Sequence, residues 1–128
     1  VHPKNFENSM RGGMVWGVGL TNLERHVYDP QNGLPANTGL YQNKPPTNMD
    51  VPVDTVQQAV NIPDPQNPVG AKGVGEPIQG CATAALLCAI SDALDGHVFN
   101  RVPVTADMIV NAASGREQSH GPLDTNTT

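Results

Sequence analysis

Val69-Gly70-Ala71-Lys72-Gly73-Val74-Gly75-Glu76-Pro77 sets three glycines and a single carboxylate immediately before a long apolar run. Glycine lets backbone approach a ligand closely or take positive φ, and proline is well tolerated at the first helical position. The stretch therefore reads as a tight loop that delivers Glu76 to the start of a helix. A carboxylate beside a helix N-terminus is favoured by the dipole, typically by about 0.3–1 kcal/mol. That is a sufficient structural reason for it to be there. Yet Asp, Asn and Ser make better caps than Glu, and the longer arm of Glu reaches into a pocket, so Glu76 is also a candidate for chemistry. Two nucleotide readings of the loop fail. A P-loop ends in Gly-Lys-Ser/Thr, whereas Lys72 is followed by Gly73; a dinucleotide fingerprint needs G-x-G-x-x-G, and Ile78 stands where the third glycine should be.

Downstream, Pro77 to Leu94 is Ala- and Leu-rich, is apolar nearly all round, and stops at Asp95-Gly96. It is the clearest helix in the chain and is expected to be buried centrally. Cys81 and Cys88 stand seven apart in it, about 10 Å along the axis, too far for an intrahelical disulfide; they read as small core residues. With no CxxC, the chain offers no iron–sulfur ligation of its own. Val98 and Phe99 suggest a short strand. Thr105 suggests the N-cap of a last helix reaching about Ala113, with Asp107 in its first turn. From Ser114 to Thr128 the composition is that of a disordered tail.

Upstream, Pro63-Asp64-Pro65-Gln66-Asn67-Pro68 forbids regular structure, and the β-branched run Thr55 to Ile62 suggests a strand before it. Leu34 to Pro52 reads as a long surface connection. Asp29-Pro30-Gln31-Asn32-Gly33 is turn chemistry, with His26-Val27-Tyr28 a short strand leading in. Asn8 to Arg25 has helical apolar spacing, although Gly12, Gly13, Gly17 and Gly19 would each cost about 1 kcal/mol against Ala in a helix interior. Such a helix survives when something lies very close to its backbone, either a packed element or a buried cofactor.

The composition fits poorly with a self-sufficient domain. Hydrophobic residues make up 38% and aromatics 4% of 128 residues, against 12 prolines and 13 glycines, thin material for a core at this length. A net charge of −5 with seven scattered basic residues argues against nucleic-acid binding. No apolar run approaches the roughly 18–20 residues of a membrane span, and no signal-like segment opens the chain. His2, His26, His97 and His120 stand apart, without the i,i+4 spacing of a helical zinc site. The start at Val1-His2-Pro3 without an initiator Met suggests processing upstream or an excerpted boundary.

Gly70 to Pro77 followed by the Ala-rich helix resembles the C-terminal signature of the molybdenum-binding large subunit of the xanthine dehydrogenase/aldehyde oxidase family, the molybdenum hydroxylases. Further elements in the same order extend the likeness over about residues 1 to 112. Gly12-Gly13-Met14-Val15-Trp16-Gly17-Val18-Gly19 with Leu23-Glu24 resembles the family's glycine-rich helix, and Tyr28-Asp29-Pro30 through Gly33 its following turn. Pro46-Thr47-Asn48-Met49-Asp50-Val51-Pro52 is similar to its Pro-Thr-x-x-Asp-x-Pro element, and Pro103-Val104-Thr105 to its closing Pro-x-Thr.

The resemblance implies an α+β fold: the C-terminal portion of a molybdopterin-binding domain over 1–113, not an independent domain, with 114–128 as the tail. It implies that Glu76 is the catalytic general base and that Gly73, Val74 and Gly75 line the cofactor. Family members commonly place a glutamine just before the glycine-rich helix, in contact with the molybdenum ligands or the pterin. Ser9 holds that place here; its hydroxyl still donates a hydrogen bond but reaches less far. No residue of the chain is expected to ligate metal directly. The implied activity is oxidation of an aldehyde or N-heterocycle with water-derived oxygen, by a molybdenum-dependent oxidoreductase component active only with the rest of its subunit. The implied cofactor is molybdopterin with Mo, in its cytosine dinucleotide form, with 2Fe-2S and FAD on partner chains. The implied partners are the remainder of the molybdenum subunit, an iron–sulfur subunit and an FAD subunit, in the cytoplasm, with the periplasm as the alternative. The opposing reading is a non-catalytic assembly piece whose glycine loop serves only packing.

Overall fold

Proline in the first helical turn, with His2 before it accepting a bond from the Asn5 amide, starts α1 (Pro3–Val18). This is the first element of the computed structural model, which describes residues 2–119. The helix runs on into a π-helical turn, Gly19–Leu23, closed by the Glu24 amide on the Gly19 carbonyl at 2.8 Å. The extra residue in that turn re-aims the chain. It leaves Thr21 fully buried and Asn22 half-buried. A 3-10 turn at Asn48–Asp50 follows, then α2 (Glu76–Ala93) and α3 (Ala106–Ala113).

α1 and α2 pack against each other through glycine. A Cβ on Gly17 would lie 2.6 Å from the Ala82 methyl and 2.9 Å from the Gln79 carbonyl oxygen, and one on Gly13 would run into the Gly75 carbonyl and, at 3.0 Å, the Ile78 Cβ. The two glycines are four apart, hence on one face. That face is where the backbones meet. The helix-propensity cost of Gly13 and Gly17 is therefore offset by an approach no other residue permits. Two threonines complete the contact. Thr21 Oγ1 donates to the Gly17 carbonyl at 2.7 Å, and Thr83 Oγ1 lies 2.9 Å from the Gln79 carbonyl and 3.3 Å from that of Gly17.

The Thr21 hydroxyl is thus satisfied, which makes its complete burial tolerable. Its carbonyl accepts the Val104 amide at 2.6 Å, while Asn22 Nδ2 donates to the Val104 carbonyl at 3.0 Å. Those bonds pin the segment between α2 and α3, which contains a cis Val102-Pro103 bond, to the end of α1. Beneath it lies the small core: Phe99, Val104 and Met108, flanked by Leu87, Ile90, Leu94, Ile109 and Ala112.

Several expectations are corrected. The first helix begins at Pro3, five residues earlier than the apolar spacing suggested, and ends in the π turn. The strands expected at His26–Tyr28, Thr55–Ile62 and Val98–Phe99 do not form among the described residues, where only one antiparallel bridge, Tyr28 to Pro35, is present. β-Branched composition marks a segment that suits a sheet, but a strand needs a neighbour's N–H and C=O groups along its length. Of the three segments, among the described residues, only Val27 to Asp29 finds any, on Leu34 and Ala36 across the turn. The regular structure of the described residues is mostly helical, with a single β-bridge.

α2 itself contains no fully buried residue. One side lies on α1, while Cys81, Ala84, Ala85, Cys88 and Ala89 are exposed. The cysteines are free thiols at the surface and not core residues. The reason is the same in each case: the apolar helix has a second face that nothing among the described residues covers. An accessible surface of 9815 Å², against roughly 6,500 Å² for a monomeric protein of this mass, carries the same message.

Other expectations match. The turn at Asp29–Gly33 forms, with the Gly33 amide on the Asp29 carbonyl at 2.8 Å and the Asp29 carboxylate taking the Gln31 amide at 2.8 Å. Thr105 precedes α3, with Asp107 in its first turn. Of the tail expected from Ser114, residues 120–128 lie outside the described residues. In the described part, Gln118 Nε2 donates to the Met108 carbonyl at 3.0 Å.

Two predictions follow from this packing and its turns. Gly17→Ala should lower the stability of the assembled protein by about 1–3 kcal/mol, the usual cost of overpacking; an unchanged thermal midpoint would show that the helices are not in such close contact. Asp50, held by the Thr47 amide at 2.7 Å and its hydroxyl at 2.9 Å, has its carboxyl below the usual 3.8. The stabilisation of that turn is present above pH 3.8 and lost as pH falls through the lower folded value. In an NMR titration the Thr47 amide should therefore move with a midpoint under 3.8, and a midpoint at or above it would contradict the hydrogen-bonding assignment.

Candidate active site

Ser9, Gly12, Gly13 and Trp16 fall at i, i+3, i+4 and i+7 of α1 and so share one face. Opposite them runs the segment Gly73-Val74-Gly75-Glu76-Pro77, and the two together enclose an open cleft of about 540 Å³. All five residues singled out from the sequence, Ser9, Gly73, Val74, Gly75 and Glu76, line it. Ser9 stands more than sixty residues before the other four and meets them because Gly13 and Gly17 hold α1 against α2.

The approach to the cleft is shaped by Asn67. Its Oδ1 accepts the amides of Val69 and Ala71, both at 3.1 Å, and its Nδ2 donates to the Ala71 carbonyl at 2.5 Å. The Asp64 amide meets the Gly70 carbonyl at 3.0 Å and closes the loop from the other side. One amide side chain thus performs the work that a strand ladder would otherwise do for a proline-rich segment.

Gly75 is the corner. Its φ of 114° and ψ of −83° make it the N-cap of α2 in a conformation that favours glycine. Its carbonyl accepts the Ile78 amide at 2.9 Å while facing Gly13. Glu76 is therefore the first residue of α2, one place earlier than a helix opening at Pro77 would put it. Its carboxylate is exposed in the cleft at the positive end of the helix dipole.

Glycines differ in what they do here. Gly13 and Gly17 are filled by neighbours, but a Cβ on Gly12 or Gly73 would meet nothing within 4 Å. Those two leave bare backbone along the cleft, and packing inside this chain does not explain them. Among the described residues no group of three or more His, Cys, Asp or Glu is placed to hold a metal ion. A second, smaller groove of about 330 Å³ between Leu87 and Phe99 contains none of the expected site residues.

Residues 1–52 match the family model described as a molybdopterin cofactor-binding domain. The chain is 33% identical over 97% of its length to the nicotine 6-hydroxylase large subunit of Paenarthrobacter nicotinovorans. It is 32% identical over 82% of its length to the xanthine dehydrogenase molybdenum-binding subunit of Escherichia coli O157:H7. Its fold superposes on the crystal structure of quinoline 2-oxidoreductase from Pseudomonas putida 86 with a TM-score of 0.78, at 35% identity over 90% of this chain. The chain belongs to the molybdenum-binding subunit family of the molybdenum hydroxylases. It spans only 15% of the nicotine 6-hydroxylase subunit and of the quinoline 2-oxidoreductase chain, and 14% of the xanthine dehydrogenase subunit.

Within this family segment, the matched region holds the α1 side of the cleft, and the Glu76 side lies beyond it. Sequence reasoning missed Gly12, Trp16 and Pro77 as lining residues. The signal was available: once Ser9 is placed toward a site, residues three, four and seven further along a helix share its face. It also missed Asn67, whose role depends on loop geometry that residue spacing does not encode.

Replacing Asn67 by Ala should release the loop. Amide exchange in a peptide covering 63–75 of the assembled protein should then rise clearly; exchange as slow as in the wild type would mean that the loop is held by something other than Asn67.

Proposed function

We propose that this chain is the C-terminal, base-bearing part of a molybdenum hydroxylase that oxidises an aldehyde or an electron-poor N-heterocycle with oxygen from water. One observation carries the reading: the Glu76 carboxylate shares a cleft with Ser9 and with the bare backbone of Gly12 and Gly73, although these lie on separate elements. Packing within this chain does not account for Gly12 and Gly73, where a Cβ would meet nothing within 4 Å, and their place on the cleft beside Glu76 favours the catalytic reading over the assembly-piece alternative.

The cleft fits one side of a bulky organic cofactor, since a Cβ at either open glycine would project into free space. Bound there, molybdopterin in its cytosine dinucleotide form would supply the two-electron acceptor and the Lewis acid that activates a water-derived oxygen. What this chain contributes is narrower. Glu76 takes a proton from the attacking hydroxyl as general base. Gly73 and Gly75 keep side chains out of the way, Val74 provides an apolar edge, and the Ser9 hydroxyl donates a hydrogen bond.

The remaining walls come from outside the chain. The relatives are named as a large subunit, a molybdenum-binding subunit and, for another protein of P. nicotinovorans that is 31% identical, subunit gamma of the 6-hydroxypseudooxynicotine dehydrogenase complex. Those names support a partner in the rest of a molybdenum subunit within a multi-subunit complex. The 2Fe-2S subunit, the FAD subunit and the cytoplasm, with the periplasm as the alternative, are what the family resemblance adds to the proposal. No helix among the described residues is long and apolar enough to cross a membrane.

Glu76→Gln keeps the shape and removes the base. In the assembled enzyme, turnover should fall by about 10²–10⁴-fold with molybdenum and pterin content unchanged. Turnover within a fewfold of wild type per molybdenum would refute the role of Glu76.

A further inference from the structure

We propose that Trp16 is the stacking wall of this cleft and takes a flat conjugated heterocycle against its indole face. The proposal rests on the reading of the cleft given above and adds a binding residue to it. Trp16 is the only tryptophan in the sequence and stands on the cleft at 48% exposure. Leaving about half of so large an apolar ring in water is costly by surface area, and the cost is recovered when a ring lies on it.

The surroundings of the indole are those of a slot. Its neighbour Gly17 is locked into the α2 backbone, with 2.6 Å between a Cβ there and the Ala82 methyl. The helix carrying Trp16 is therefore fixed at that turn. Side chains on a helix lean toward its N-terminus, which sends the indole over the turn of Gly12, where a side chain would have open space. Across the cleft stand Gly73 and Gly75, with no side chains, and the small apolar Val74. A flat aromatic face opposite bare backbone admits a planar group and gives little purchase to a puckered one. Two planar heterocycles have reason to enter this site: the pterin of the cofactor and an N-heterocyclic substrate. The shared chemistry is ring stacking.

The test uses the assembled enzyme with Trp16→Phe, which keeps a flat ring, Trp16→Leu, which keeps apolar bulk without one, and Trp16→Ala. Pterin and molybdenum content per complex are measured first. Calorimetric binding of quinoline is then compared with that of decahydroquinoline, similar in size but not planar. Loss of a stacking face is worth about 5- to 150-fold in affinity. If the indole faces substrate, quinoline should bind about tenfold or more weakly to the Leu and Ala variants, with decahydroquinoline changed less than twofold and Phe close to wild type. If it faces the cofactor, pterin content should fall in Leu and Ala and be kept in Phe.

Either pattern supports the slot and names its occupant. Leu behaving like Phe in both measurements, or equal weakening of the planar and puckered probes with cofactor content intact, overturns it, because a purely structural residue needs bulk and not flatness. Should Trp16→Ala fail to assemble, the Phe and Leu pair still decides. Neither readout needs turnover, so a Glu76→Gln enzyme of normal activity would sink the general-base role without touching this result.

Discussion

The Gly17 carbonyl and the bare Cα beside it sit where α1 and α2 touch, and the rest of the molecule depends on that contact. The carbonyl takes the Thr21 hydroxyl at 2.7 Å, and the Cα has no room for a methyl against Ala82 and Gln79. Thr21 then reaches the Val104 segment, and through it the core of Phe99, Val104 and Met108. Moving the helices apart by the width of one methyl would loosen this chain of contacts at each end. About one turn earlier on α1, the Gly13–Gly75 approach places Ser9 and Trp16 across from Glu76.

This arrangement assigns different physical jobs to glycines that look alike in the sequence. Gly13 and Gly17 hold two helices together, Gly75 turns a corner at φ 114°, and Gly12 and Gly73 keep the cleft open. Packing and access, which looked like rival explanations of the glycine-rich helix, are both present on it, one residue apart. The helix periodicity separates them: both border the cleft, but Gly13 abuts Gly75 and Ile78 while Gly12, 100° round the axis, faces open space.

The contrast between a well-defined contact and a poor interior explains the rest of the surface. Among the described residues the buried core is only Phe99, Val104 and Met108, while α2, apolar nearly all round, has an exposed face of alanines and cysteines. Such a helix is stable when both faces are covered. A chain that spans about one-seventh of its relatives' length (15% and 14% in the two subunits compared) has the makings of one half of a packed domain. Its cleft likewise has the α1 side and the Glu76 side, and among the described residues it stays open.

Local signals were legible wherever a residue acts within its own turn. The Asp95-Gly96 stop, the Thr105 start, the Asp29–Gly33 turn and the pairing of Glu76 with a helix N-terminus all follow from neighbours a few positions away, and all are present. The three strands were misread because β-branched spacing expresses suitability for a sheet, and the ladder itself needs a partner that sequence cannot locate. The burial of α2 and its cysteines was misread for a related reason, since apolarity records what a face needs and not what this chain can place on it. By itself, then, the sequence determined that the helices exist, where α2 stops and α3 starts, the Asp29–Gly33 turn and the short list of chemically able residues. The tertiary structure alone decided that Ser9 and Glu76 share one cleft, that Trp16 stands in it, and which glycines are filled. Those facts depend on how closely two backbones approach across more than sixty residues of chain, and that distance is set by packing at Gly13 and Gly17.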